Sequence, residues 1–431
     1  MKKLTVIILL FAIFLGTSTA YISAEVNSGK DKVSFEETVL FGDKTYANGV
    51  TFTRETNYKR KISWKTDYTI GFPPECNTEY KFSAEGIPFG YERDKSGISI
   101  SSEWGHIKSI SDTYAEIVQT AKKEKKFVSE NFKLRDFCEY LPLTVDVDLP
   151  DVLLSEEKLQ RLSDKVNEFF KTPVPEECEI IFYSESDGSS GISCDLYVSV
   201  YTASYTSDTV FFVHSKDISS PYKEDENCIY GINYGKNEVY EDTLKLVYDP
   251  GDDFIINEVH STDKTLVLLG TDKHNKTLLR VLDLKTMECI QNLQVSNGNF
   301  DSVDATAFIK DDFLKIEIYD YNIKANENDD EVVIHFYTVL PDGTYEYSMS
   351  IHDREKRFLK NINLTAVDFD GQRAAFAQIL SPFWSDGFYK LTVSVYDKNG
   401  LLYIGEYDCS LSKHKRGDSG HTDYSFDINI G

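Results

Sequence analysis

The residues of this chain best suited to recognising a partner lie in an aromatic segment at 382–389, whose sequence is Pro-Phe-Trp-Ser-Asp-Gly-Phe-Tyr. Trp and Tyr rings in an exposed loop stack on sugar rings or anchor a protein partner, because each ring combines a large apolar face with a polar edge. The sequence therefore predicts a partner-binding loop through Phe383, Trp384, Phe388 and Tyr389. The alternative is that the same rings fold back and cover the edge of a sheet.

One serine stands in a setting similar to that of a catalytic nucleophile. Residues 415–421 read Lys-Arg-Gly-Asp-Ser-Gly-His, and Gly-Asp-Ser-Gly resembles the nucleophile segment of trypsin-like proteases. That chemistry also needs a His base and an orienting Asp earlier in the chain, and no segment suited to supply the base precedes it. The Arg-Gly-Asp-Ser string within it is also similar to an integrin-binding tripeptide. Its polar composition favours a solvated tail instead.

Acidic clusters at 249–253, 326–331 and 368–370 offer oxygen ligands, but none has the ordered Asp-x-Asp-x-Asp-Gly spacing of a calcium loop. We therefore predict no cofactor, with weak calcium binding in one of these loops as the alternative. The eight His residues form no pair with metal-ligand spacing, so no metal ligand is predicted. No catalytic residue is singled out either. Paired carboxylates of a carbohydrate-active hydrolase remain the enzymatic alternative, because such a pair need only meet in space.

The charge balance of the chain is strongly acidic. Its 431 residues carry 71 acidic and 46 basic side chains, a formal net charge of −25 at pH 7. Such a surface repels nucleic acid and anionic membrane faces, and no basic stripe interleaved with aromatic residues is present. Because the acids are spread along the chain, we interpret them as a solubilising surface; a dedicated cation-binding surface is the alternative.

Seven cysteines are present, an odd number without a Cys-x-x-Cys pair, and their spacings fit no zinc pattern. The count is low for a disulfide-built scaffold of this length. Cys178 and Cys194 fall on two strands that we expect to pair, which makes them the best candidates for a disulfide in an oxidising compartment.

The first 24 residues have the layout of a secretory signal peptide. Lys2 and Lys3 precede an apolar run at 4–15, and small residues follow at 17–20. The run is shorter than the roughly 20 residues that span a bilayer, which favours cleavage. We expect an extracellular or cell-envelope protein, tethered to the membrane if the segment is retained. No cysteine lies near the end of the run, which argues against a lipid anchor.

Short strands and turns dominate the rest of the chain, apart from two predicted helices. The helices are expected over Ser111–Lys126 and Ser155–Phe170, the second with Ser155 as its N-cap. After residue 258, three units each contain three or four short strands within about 45 residues, which is typical of β-propeller blades. Asp342-Gly343 and Asn399-Gly400 are hairpin-turn signals within them.

These patterns predict an all-β dominated fold, a β-propeller of about seven blades with a short helical insertion around 111–171. The alternative is a separate N-terminal β-domain in front of a smaller propeller or sandwich. The expected segments are a signal peptide at 1–24, an N-terminal β segment contributing blades at 25–110, a helical insertion at 111–177, propeller-like repeats at 178–412 and a polar C-terminal tail at 413–431.

Residues 41–51, Phe-Gly-Asp-Lys-Thr-Tyr-Ala-Asn-Gly-Val-Thr, and residues 64–68, Trp-Lys-Thr-Asp-Tyr, carry a family resemblance. Through them the chain resembles uncharacterised exported or membrane-tethered β-propeller proteins of Gram-positive anaerobic bacteria. The resemblance implies no activity. We expect a non-enzymatic propeller that binds a protein or carbohydrate partner at the cell surface, with no nucleic-acid partner and with membrane contact only through an uncleaved N-terminal segment.

Overall fold

A computed structural model describes most of the chain. The described residues are 14, 16–18, 33–58, 62–83, 97–102, 107–174, 176, 178–185, 189–194, 203–215, 227–274, 276–296, 303–310, 312–320, 331–353, 365–380, 390–409 and 421–430. The predicted signal peptide lies almost wholly outside these ranges. Within them, no helix is long and apolar enough to cross a membrane.

Strands make up most of the described residues, and two α-helices accompany them. The strands are β1 (Phe35–Gly42), β2 (Thr51–Tyr58), β3 (Ile62–Thr69), β4 (Glu75–Phe82), β5 (Gly97–Ser102), β6 (Val128–Lys133), β7 (Leu143–Asp148), β8 (Glu179–Ser184), β9 (Ser190–Cys194), β10 (Ala203–Tyr205), β11 (Thr209–Ser215), β12 (Asn227–Gly235), β13 (Glu238–Tyr248), β14 (Phe254–Ser261), β15 (Thr265–Asp272), β16 (Thr277–Asp283), β17 (Cys289–Ser296), β18 (Val303–Ile309), β19 (Phe313–Asp320), β20 (Glu331–Val339), β21 (Tyr345–Asp353), β22 (Thr365–Phe369), β23 (Arg373–Leu380), β24 (Lys390–Asp397), β25 (Gly400–Cys409) and β26 (His421–Asn429). The helices are α1 (Lys108–Glu124) and α2 (Glu156–Phe170).

Five antiparallel sheets have four or five strands each. Sheet I is β10–β13, sheet II β14–β17, sheet III β18–β21, sheet IV β22–β25 with β1 as a fifth strand, and sheet V β26 followed by β2–β4. Two smaller sheets, β5–β7 and β6–β8–β9, accompany the helices. The predicted all-β fold is confirmed, whereas seven blades are not: the described residues form four four-stranded sheets and one five-stranded sheet.

Sheet II illustrates why these sequences fold in this way. Strand β15 is a continuous apolar run, Thr-Leu-Val-Leu-Leu-Gly, buried along its length because neighbouring sheets cover both of its faces. Strand β17 at the outer edge is mostly exposed and polar. The proportion of apolar residues in each of these two strands therefore reflects how close the strand lies to the interior.

Aspartates close many of the turns between strands by accepting the backbone N–H two residues later, an Asx turn. The aspartates that do so are Asp249, Asp272, Asp283, Asp342, Asp370 and Asp397. Backbone hydrogen bonds also lower the carboxyl pKa of Asp283, and the Thr344 hydroxyl with its N–H lowers that of Asp342. Six of the 71 acidic side chains therefore have a structural role in the turns between strands.

The sheets pack face to face in chain order, and a separate apolar core fills each interface. Phe211 and Ile229 of sheet I meet Phe254 of sheet II. The next cores join sheet II to III, III to IV, and IV to V. Sheets II, III and IV are each buried between two neighbouring sheets, which removes both of their faces from water and is the dominant stabilising contribution.

The two ends of the chain are joined by strand pairing. Strand β26 pairs with β2, and β1 pairs with β25. In place of the polar tail predicted for 413–431, His421–Asn429 thus form a full strand of sheet V. Phe35, Phe52, Tyr68 and Tyr407 pack together beneath these pairs with ring centroids 5.0–5.5 Å apart.

The helical region covers one side of sheet I. Both predicted helices are present within a few residues of the expected bounds, and the Ser155 hydroxyl accepts a hydrogen bond from the Lys158 N–H at 3.4 Å. Helix α2 lies along the free edge of β7. Asn167 accepts from the Leu143 N–H at 2.8 Å and donates to the Leu143 carbonyl at 2.7 Å, and Ser163 accepts from the Val145 N–H. The helix thus takes the place of a third strand.

Replacing the Asn167 side chain tests this edge pairing. Asn167→Ala leaves two backbone groups of β7 without partners, so we expect the free energy of unfolding to fall by about 2 kcal/mol. Urea unfolding measures it. Gln160→Ala, on the exposed side of the same helix, is the control and is expected to change stability by less than about 0.5 kcal/mol. Equal effects of the two variants would contradict the edge pairing.

His214 makes the packing of α2 on sheet I sensitive to acid. Its ring lies 4.6 Å from that of Phe170, and burial lowers its pKa from 6.5 to about 4. Between these values the unfolded chain binds a proton that the folded chain does not. Stability is therefore lost as the pH falls, by up to about 1.4 kcal/mol per pH unit.

We expect His214→Phe to lose less stability than the wild type between pH 7 and pH 4.5, because the proton linkage is gone while the aromatic contact remains. Unfolding curves in urea at a series of pH values measure the slope. His274→Gln, in an exposed turn, is expected to keep the wild-type slope. A wild-type slope in His214→Phe would be incompatible with this assignment.

Candidate functional site

The C-terminal ends of the first strands of all five sheets gather around two adjoining cavities. The larger, of about 790 Å³, is lined by the residues that end β10, β14 and β18, and the smaller, of about 680 Å³, by those that end β18, β22 and β26. Both cavities include Ile309 and Lys310. We call this opening the mouth.

Sheets I and II are joined beside the mouth by a pair of serines. The Ser261 N–H donates to the Ser204 hydroxyl at 2.7 Å, and the Ser261 hydroxyl donates to the Tyr205 carbonyl at 2.7 Å. The two hydroxyl oxygens are also 2.7 Å apart. Small hydroxyl side chains allow β10 and β14 to approach closely while their backbone groups stay paired.

Sheets II and III are joined by a carboxylate. One oxygen of Glu258 accepts from the Ala307 N–H of β18 at 2.8 Å and lies 3.1 Å from the His260 ring. A carboxylate acceptor gives a stronger bond to a backbone N–H than a neutral group would.

Lys310 joins sheets III, IV and V. Its ammonium donates to the Val367 carbonyl at 3.1 Å and lies 3.6 Å from Asp368 and 3.8 Å from Asp427. Asp368 in turn accepts from the Ile430 N–H at 2.9 Å. One cation therefore bridges the turn after β18 to β22 and β26.

The larger cavity combines hydroxyl, aromatic and charged groups. The lining side chains include Tyr205, Thr206, Ser207, Tyr234, Tyr345, Asp151, Asp263, Lys236, Lys264 and Lys310. This set suits a ligand that offers hydrogen-bonding groups together with apolar faces, as a glycan or a peptide segment does.

Tyr345 is the most deeply buried of these aromatic side chains. Its hydroxyl is buried beside the hydroxyl of Thr265. Burial raises the pKa of Tyr345 to about 12, so the hydroxyl stays protonated and able to donate at neutral pH.

The residues expected to bind a partner lie outside the described part of the chain: Phe383, Trp384, Phe388 and Tyr389.

The acidic clusters considered for calcium have other partners where they are described. Asp249 and Asp370 close turns, Asp253 pairs with Lys273, and Asp368 pairs with Lys310. Most of the 326–331 cluster lies outside the described ranges. Within those ranges, no three His, Cys, Asp or Glu side chains are grouped so as to hold a metal ion.

Comparison with known proteins does not identify a function for this site. No family model and no curated protein matches the chain. Among solved structures, the β-propeller domain of the Trilobed protease from Pyrococcus furiosus is 12% identical over 52% of this chain and 63% of its own, with a TM-score of 0.27. The WD40 domain of SCAP from fission yeast is 9% identical over 54% and 66%, with a TM-score of 0.23. An acylaminoacyl peptidase is 12% identical over 52% and 34%, with a TM-score of 0.26. Likeness this distant carries no argument about function.

Glu258 provides a test of the bonds that hold the mouth together. Glu258→Ala leaves the Ala307 N–H without its acceptor, so we expect a loss of about 1–3 kcal/mol in the free energy of unfolding. Glu258→Gln keeps an acceptor oxygen and is expected to recover most of it. Chemical denaturation measures both. If Glu258→Ala loses less than about 0.5 kcal/mol, the hydrogen bond contributes nothing to stability and the assignment is wrong.

Proposed function

We propose that this protein is an exported, non-enzymatic β-propeller that binds a protein or carbohydrate partner at the cell envelope, and that the mouth is its binding site. The observation that carries the proposal is the convergence of five first-strand ends, one from each of sheets I to V, on two adjoining cavities lined by polar and aromatic groups. Cavities of this size and lining are typical of ligand sites.

The propeller arrangement is supported by the order of the sheets. Four-stranded sheets that pack face to face in chain order, with their first strands adjacent, are the blades of such a fold. The β5–β7 sheet occupies the next position, since a Cβ on Gly97 of β5 would lie 3.2 Å from Ala203 of β10. We infer five complete blades and one reduced blade in which α2 replaces outer strands.

Binding rather than catalysis is favoured by the interactions that a carboxylate at the mouth already makes. A glycoside hydrolase needs two acids at the reacting bond, one of them protonated. Asp368 at the smaller cavity is already held by Lys310 and the Ile430 N–H, and it positions strands. Asp151 and Asp263 line the larger cavity and are the carboxylates that the hydrolase alternative would use.

Export is supported by the N-terminal layout of Lys2 and Lys3 followed by an apolar run and small residues. Fractionation of the native cell, followed by N-terminal sequencing of the protein, tests it. We expect the protein in the envelope or medium, starting after Ala20 or Ala24, or retaining the segment in the membrane. A full-length chain in the cytosol would refute export.

Site-specific photocrosslinking tests the binding site. A benzoylphenylalanine at Asp263, in the mouth, is expected to crosslink an envelope component, and the same group at Asp253, at the other end of sheet II, is not. The double variant Lys236→Ala/Asp263→Ala is expected to weaken binding of the envelope component at least tenfold. Its matched control is Lys273→Ala/Asp253→Ala, which removes an exposed ion pair away from the mouth. Equal crosslinking from both ends would refute the mouth as the site.

The hydrolase alternative has its own assay. Purified protein is incubated with cell-wall polysaccharides, and release of reducing ends is measured for the wild type and for Asp151→Asn and Asp263→Asn. We expect no release above background from any of the three. Turnover that either Asn variant abolishes would replace the binding proposal with the enzymatic one.

A further inference from the structure

Two cysteines lie close together at the edge of the helical region. The sulfur atoms of Cys178 and Cys194 are 3.7 Å apart. Cys194 ends β9 directly opposite Ile180, and Cys178 comes just before β8. The register of this hairpin therefore holds the two side chains together in the folded protein.

A third thiol lies near this pair. The Leu134 N–H donates to the Cys178 carbonyl at 3.0 Å, and the Cys138 thiol is 3.9 Å from the Leu134 carbonyl oxygen. Burial and, to a lesser degree, the neighbouring Cys194 raise the pKa of Cys138 to about 11. Because the thiolate is the reactive form, Cys138 is a poor nucleophile at neutral pH.

The remaining four cysteines lie on four different sheets: Cys76 on sheet V, Cys228 on sheet I, Cys289 on sheet II and Cys409 on sheet IV.

We propose that Cys178 and Cys194 form a disulfide bond in the mature protein. The oxidant is an external disulfide, oxidised glutathione or the oxidised form of a thiol–disulfide oxidoreductase. The Cys194 thiolate, partly exposed at the end of β9, attacks it to give a mixed disulfide and release one thiol. The Cys178 thiolate then attacks the Cys194 sulfur and releases the second thiol. Two protein thiols lose two electrons and two protons, and the external disulfide is reduced to two thiols.

The bond closes the β8–β9 hairpin against the core of the helical region. Its sulfur atoms approach from 3.7 Å to about 2.05 Å, which side-chain rotation at Cys194 supplies. The proposal rests on export for its oxidising compartment, and it is tested separately from export by refolding the purified chain in a glutathione redox buffer.

Peptide mapping of the refolded full chain, without reduction and after alkylation of free thiols, is the decisive experiment. We expect one linked peptide pair joining Cys178 to Cys194 and alkylation of the other five cysteines. A reductant is expected to lower the thermal midpoint of the wild type and of the control Cys289→Ser by about 5 °C. It is expected to leave the midpoints of Cys178→Ser and Cys194→Ser unchanged.

Alkylation of both Cys178 and Cys194 after oxidative refolding would overturn the proposal, as would a link from Cys138 to either of them or retention of zinc by the three thiols. If the link forms in the buffer but the native protein is found in the cytosol, export fails while the disulfide chemistry stands. If the native protein is exported with both thiols alkylated, the disulfide proposal fails and export stands.

Discussion

The structure depends on how the first strand of each sheet finds hydrogen-bond partners for the backbone groups along its unpaired edge. In the described residues each of these strands has a strand neighbour on one side only, so its other edge carries N–H and C=O groups that need partners. Side chains of the adjacent sheet provide them: Ser204 and Ser261 between sheets I and II, Glu258 between II and III, and Lys310 and Asp368 from III to V. These bonds fix the spacing of the sheets and the shape of the mouth together. The shape of the mouth and the stability of the fold therefore depend on the same few contacts.

The acidity of the chain has a related explanation. Aspartates close the hairpin turns, and others hold backbone N–H groups or pair with lysines between sheets. Acids that looked like calcium loops in the sequence, such as Asp249 and Asp370, are turn residues in the structure. Their carboxylates accept hydrogen bonds from local backbone N–H groups.

Sequence patterns predicted local structure well where the signal is local. The turn at Asp342-Gly343 and the capped helix that begins after Ser155 were readable, because each depends on residues close in the chain. The strand at His421–Asn429 was missed: Lys415–His421 reads as solvated tail, and nothing local marks a strand whose partner, β2, is more than 350 residues away. The reduced β5–β7 sheet was missed for the same reason, since Asn167 of a helix completes it.

The sequence by itself determined the all-β class, the two helices and the turns, since each is encoded by spacing within a short window. Only the tertiary structure decided the candidate site. Lys310, Glu258 and Ser204 carry no motif, and what gives them a role is a backbone group on another sheet. Packing brings those groups together from distant parts of the chain, so the spacing of residues in the sequence does not predict these contacts. The proximity of Cys178 and Cys194 was partly predictable from the sequence, because the two residues fall on strands expected to form a hairpin. Only the tertiary structure gives the 3.7 Å separation of their sulfur atoms.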